Sequence, residues 1–66
     1  MTIIVNGQTH EHKGGGTLDS LLQELGANPA AVALMLNEQM IPRAERASIV
    51  INTGDRVEIL SFMGGG

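Results

Sequence analysis

Thr17-Leu18-Asp19-Ser20-Leu21-Leu22-Gln23-Glu24-Leu25-Gly26 is the stretch on which the fold turns. Leu18, Leu21, Leu22 and Leu25 fall at i, i+3, i+4 and i+7, which places four leucines on one stripe of an α-helix and leaves Asp19, Gln23 and Glu24 to water. Thr17 is a good N-cap, because its hydroxyl can accept a bond from an orphan amide of the first turn. Asp19 complements the positive end of the helix, and Gly26 suits the left-handed position just past its other end. The spacing therefore predicts one amphipathic helix, closed at both ends, whose leucines form a core face.

Strands surround it. Residues 2–6 are apolar and largely β-branched, and Asn6-Gly7 is a strong hairpin signal, since both central positions of a type I′ turn need positive φ. The returning arm, Gln8 to His12, is polar throughout and reads as an edge strand with one or both faces wet. His10 and His12 project from one face of that arm, but no third ligand is evident nearby, so no metal is expected. Lys13-Gly14-Gly15-Gly16 breaks the strand. It is not a phosphate loop, because the Lys-Ser/Thr pair that should follow the glycines is missing.

Beyond the helix, Asn28-Pro29 marks a loop and Ala31 to Leu36 is an almost continuous apolar run, short enough for a buried strand. Asn37-Glu38 turns the chain into a short arm, Gln39-Met40-Ile41, that Pro42 ends. Residues 43–47 can form a helical turn, residues 48–51 supply apolar anchors, and Thr53-Gly54-Asp55 turns into a last strand, Arg56 to Met63. On that strand Glu58 shares a face with Leu60 and Phe62, which marks the face as solvent and leaves two apolar residues on it. Leu60 and Phe62, with Met63 beside them, are expected to form a docking patch for a partner. The order of elements makes an α+β β-grasp, a mixed four- to five-stranded sheet on one main helix. That fold carries with it strands one and five adjacent at the centre, and the chain divides into a domain over residues 1–63 and a glycine tail over 64–66.

Sixty-six residues bury only about 60% of their unfolded surface, too little for a large active-site cleft. No cysteine is present, so disulfides, thiolate metal sites and cysteine nucleophiles are excluded. The net charge of −3, with Lys13, Arg43, Arg46 and Arg56 scattered, gives no stripe for nucleic acid and suits a protein partner carrying basic groups. The first residues carry no basic leader and no long apolar run, and a cytoplasmic location is expected.

The C-terminal Gly64-Gly65-Gly66 gives the last carboxylate no side chain to obstruct it and lets it thread a narrow channel, roughly 10 Å deep when extended. Glycine also cannot epimerise when its carboxylate is activated. Together with Ile3-Ile4-Val5-Asn6-Gly7, the run from Val32 to Arg43 and Gly54-Asp55-Arg56-Val57-Glu58-Ile59, this ending resembles the ThiS-type sulfur carriers of thiamin thiazole biosynthesis, members of the ubiquitin-like β-grasp group. The resemblance covers essentially the whole chain. Glu38 stands where many relatives put glycine, and three glycines close the chain where two would suffice.

The resemblance implies that Gly66 is the sulfur-carrying residue and that Gly65 and Gly64 thread the partners' active sites. A ThiF-type adenylating enzyme would use MgATP to activate Gly66. A cysteine desulfurase or other persulfide donor would supply sulfur indirectly, and a ThiG-type thiazole synthase would consume the thiocarboxylate. The chain itself would be no enzyme and would bind no cofactor, metal, nucleic acid or membrane. A sulfur carrier of another pathway (the small subunit of molybdopterin synthase, or a carrier for cysteine biosynthesis), a protein modifier joined to lysines, and a plain interaction module share the same outline.

Overall fold

The computed structural model describes residues 1–13 and 16–61. A five-stranded mixed sheet runs in the order β2-β1-β5-β3-β4, with β1 spanning Thr2–Val5, β2 Gln8–Glu11, β3 Val32–Leu36, β4 Gln39–Ile41 and β5 Arg56–Ser61. Both hairpins are antiparallel and two-residue turned, and the last strand enters between them. β5 lies parallel to β1 and antiparallel to β3, so the first and last strands are neighbours and β5 is the central strand. The last strand's expected end, Phe62 and Met63, lies outside the described residues.

One helix, α1 (Leu18–Glu24), covers one face of this sheet. Its first amides are all accounted for: Leu18 donates to the Ile49 carbonyl, Asp19 to that of Arg46, Ser20 to Oγ1 of Thr17 and Leu21 to the Thr17 carbonyl. Its other end is a Schellman motif, in which Gly26, at φ +72°, donates to Gln23 and Ala27 donates to Leu22. Leu18, Leu21 and Leu22 are fully buried against Ile3, Leu34, Ile51 and Val57. Each such side chain contributes about 1.5–3 kcal/mol relative to exposure, which is the main support for so small a domain.

Leu25 departs from the predicted stripe. The helix ends one residue before it, and as the C-cap it is 37% exposed. Ala31 likewise falls in a 3-10 turn, Pro29–Ala31, whose start Asn28 caps by accepting from the Ala30 amide, so β3 begins at Val32. The predicted helical turn after Pro42 is a single 3-10 turn, Arg43–Glu45. Gly16 is required by close approach: a Cβ there would collide with the Ser20 hydroxyl and come within 3.2 Å of the His12 ring.

Arg46 is the unexpected core residue. It is 3% exposed, and its guanidinium donates to the carbonyls of Pro29 at 3.0 Å and Val32 at 2.8 Å. The irregular segment is thereby tied to the 3-10 turn and to the first residue of β3, and both carbonyls gain a charged donor.

Candidate functional site at the open sheet face

Strand parity gives the sheet two unlike faces. Ile3, Leu34 and Val57 point to the helix, so the alternate residues Ile4, Ala33, Met35, Met40, Glu58 and Leu60 point away from it. The registers bring them together, Ala33 opposite Leu60, Met35 opposite both Glu58 and Met40, and Ile4 opposite Arg56. Met40 is 58% exposed and Leu60 48%, while Ile4, Ala33 and Met35 are half-buried. The result is an apolar strip across four strands, carrying two methionines and Leu60, and polarizable methionines suit a surface that must adapt to a partner.

Charge borders the strip at one end. Arg56 lies 3.7 Å from the Glu38 carboxylate, and these two with Gly7 and Glu58 line a cleft of about 150 Å³. Glu38 stands at φ +71° in the second hairpin turn, where glycine would be unstrained, and its side chain reaches this cleft. At its other end β5 is described to Ser61, and the sequence runs five residues further to Gly66. Leu60 is thus the predicted docking residue that the structure shows exposed. Its companions Phe62 and Met63, and the predicted functional glycines Gly64, Gly65 and Gly66, lie outside the described residues. Sequence reasoning missed Met35, because the run from Ala31 to Leu36 looked buried on both faces, and it missed Ile4 and Met40, because only the registers that bring β1 and β4 beside their neighbours place them on this face.

A second cluster lies on the covered side. His10 and His12 do share a face, but that face turns under the sheet toward the last turn of α1, so the polar second arm is not wet on both sides. His10 Nε2 lies 2.7 Å from Glu24 Oε2, and His12 Nδ1 lies 3.4 Å from Glu24 Oε1. His12 is 3% exposed, and among the described residues neither of its ring nitrogens has a hydrogen-bond partner. Glu24, exposed as expected, is held below the usual carboxylate range, first by its bond to the His10 ring, with burial opposing that shift and His12 adding to it. Among the described residues no group of three or more His, Cys, Asp or Glu is arranged to hold a metal ion. No described helix is long and apolar enough to cross a membrane.

A mixed sheet gripping one helix, with β1 and β5 parallel at its centre, defines a ubiquitin-like β-grasp domain. A crystal structure of a thiamine biosynthesis protein, ThiS, from Geobacter metallireducens superposes with a TM-score of 0.85 at 33% identity, over all of both chains. The family model described as ThiS family matches residues 3–66, and the chain belongs to that family. It is 32% identical over the full length of both chains to the sulfur carrier protein ThiS of Escherichia coli. It is also 35% and 36% identical over its whole length to proteins named thiazole synthase from Paramagnetospirillum magneticum and Magnetococcus marinus, but spans only 20% of their length.

Proposed function

We propose that this chain is a sulfur carrier of thiamin biosynthesis: its Gly66 carboxylate is adenylated, converted to a thiocarboxylate, and delivers sulfur to the thiazole ring. The observation that carries this is the full-length match to a named sulfur carrier, together with a family match that runs through the terminal glycines. A carboxylate is a poor electrophile until its oxygen becomes part of a good leaving group. A ThiF-type enzyme supplies that with MgATP: a carboxylate oxygen attacks the α-phosphorus and pyrophosphate leaves. A persulfide sulfur, drawn from a cysteine desulfurase or similar donor, then bonds to the acyl carbon as AMP departs, and a second thiolate on the sulfur-donating side attacks the donor sulfur of the resulting acyl disulfide, which releases the thiocarboxylate and leaves a disulfide behind. The carrier contributes an unobstructed end and a recognisable surface, with Gly64 and Gly65 passing through the partner's channel, and it needs no catalytic side chain or bound cofactor.

A ThiG-type thiazole synthase is the sulfur's destination. Proteins named thiazole synthase include a segment similar to this entire chain, which supports direct association of carrier and synthase. Leu60 with Met35 and Met40 forms the docking surface, extended along the chain by Phe62 and Met63. The test is the intact mass of the protein from its own cells under thiol-free handling. Replacement of one oxygen by sulfur at Gly66, lost when the adenylating enzyme is deleted, is the expected result. A tail that is always an unmodified carboxylate, or one joined to lysines, overturns the reading.

A further inference from the structure

We propose that Asn6 is a positioning residue for the chemistry at the terminal glycine: its side-chain carbonyl holds β5 where β1 stops, and so sets how the docked sheet hands on the chain. The inference rests on the carrier reading above. β1 and β5 pair at two positions only, Ile4 with Arg56 and Val5 with Val57, whereas β3 accompanies β5 as far as Ser61. On its β1 side the central strand therefore outruns its neighbour.

Asn6 fills the gap. Its own N–H donates to the Val57 carbonyl at 2.9 Å, and in a regular parallel ladder the next bond would run from the Ile59 N–H to the Asn6 carbonyl. The backbone at Asn6 has φ +50° and turns away into the hairpin, and Oδ1 of the side chain accepts the Ile59 N–H instead, at 2.7 Å. The turn alone does not call for this acceptor, since glycine adopts the same conformation at no steric cost.

Asn37, also at φ +50°, repeats the device in the second hairpin. Its N–H donates to the Arg56 carbonyl and its Oδ1 accepts the Arg56 N–H at 2.9 Å. That bond fixes the start of β5. The Asn6 bond fixes Ile59, next to the exposed Leu60 and on the way to the reacting end. A partner that docks on Leu60 and takes the terminal carboxylate into its active site needs the two in a fixed relation, and a misplacement of about 1 Å can cost about 10²-fold in rate.

The experiment uses the full chain as Asn6→Gly and Asn6→Asp, as variable substrate in ATP–pyrophosphate exchange catalysed by a ThiF-type adenylating enzyme, with amide hydrogen exchange read at Ile59. Asn6→Gly keeps the turn and removes the acceptor. It is expected to lower kcat by about 3- to 10-fold, to leave KM within about twofold, and to speed exchange at Ile59. Asn6→Asp keeps an acceptor oxygen and is expected to restore kcat. An unchanged kcat in Asn6→Gly, an effect on KM alone, or an Asn6→Asp variant as slow as the glycine one overturns the proposal. Absence of exchange activity with the unaltered chain overturns the carrier reading and the positioning role with it, while exchange at Ile59 separately reports whether the side chain holds the strand.

Discussion

The helix-covered and open faces of the sheet are built from the same strands and almost the same residue types, yet they do different work. Ile3, Leu34 and Val57 are at most 1% exposed on one side, while Leu60 and Met40, from the same strands or their neighbours, are about half exposed on the other. Apolar character alone does not make a core. The difference lies in what stands opposite: α1 and the segment ending at Ile51 close over one face, and the described chain offers nothing to close over the other. A domain this small has no second layer to spare, so an apolar strip on its open face is surface left for another molecule.

The sharpest break of the comparison removes one covered leucine. Leu21→Ala is expected to destabilise the fold by about 2–5 kcal/mol, because it deletes buried methylenes and leaves a cavity beneath β1 and β5 that the helix cannot fully collapse into. Denaturant unfolding checks it. Against a typical stability near the low end of about 5–15 kcal/mol, the variant should be substantially unfolded at physiological temperature.

Arg46 tests whether the covered side depends on apolar contact alone. Arg46→Met keeps most of the stem and its packing but removes both donors, leaving the Pro29 and Val32 carbonyls without partners. Loss of about 1–3 kcal/mol is expected, again by denaturant unfolding, and a neutral result would show that water reaches those carbonyls when the guanidinium is gone.

The open face should answer in the opposite currency. Leu60→Glu combined with Met40→Glu is expected to leave the unfolding midpoint nearly unchanged, within about 0.5 kcal/mol per site, since neither residue packs in the core. Affinity for an adenylating enzyme or a thiazole synthase, measured by calorimetry, should fall by about tenfold or more. A loss of stability without a loss of affinity would reverse the assignment of the two faces.

Much of this division could be read before any coordinates. Thr17 and Gly26 bracket the helix as their capping chemistry requires, Asn6-Gly7 makes the predicted hairpin, and Glu58 beside Leu60 marks the solvent side of β5. What could not be read depends on contacts between segments far apart in the chain. Arg46 in an irregular stretch looks like any surface cation until the carbonyls of Pro29 and Val32 are brought to it, and nothing local says that Gln8 to His12 curls its histidines under the sheet. The open strip went unseen for a related reason, since the unbroken apolar run through Leu36 hides an alternation that only the register against β5 reveals. The terminal glycines offer their reading from the sequence alone, as an unhindered carboxylate, and Gly64, Gly65 and Gly66 lie outside the described residues.

The smallest expected effect lies where the two sides meet, at the edge strand, and it is one of pH. Glu24 has its folded-state pKa lowered chiefly by the His10 ring, so its contribution is present above the ordinary carboxylate range and is lost as the pH falls through the lowered folded value. Glu11 behaves in the same sense through its contacts with the amino terminus and Thr2, so the acid limb of the stability curve has more than one source. Glu24→Gln keeps the size and a hydrogen-bonding carbonyl but cannot ionise. Its stability should fall below that of the unaltered chain at neutral pH, and the two curves should converge toward strongly acid pH. Curves that stay parallel through the carboxylate range would mean that His10 and His12 meet Glu24 as packing partners alone, and that the histidine face of β2 belongs with the core and not with the charged rim.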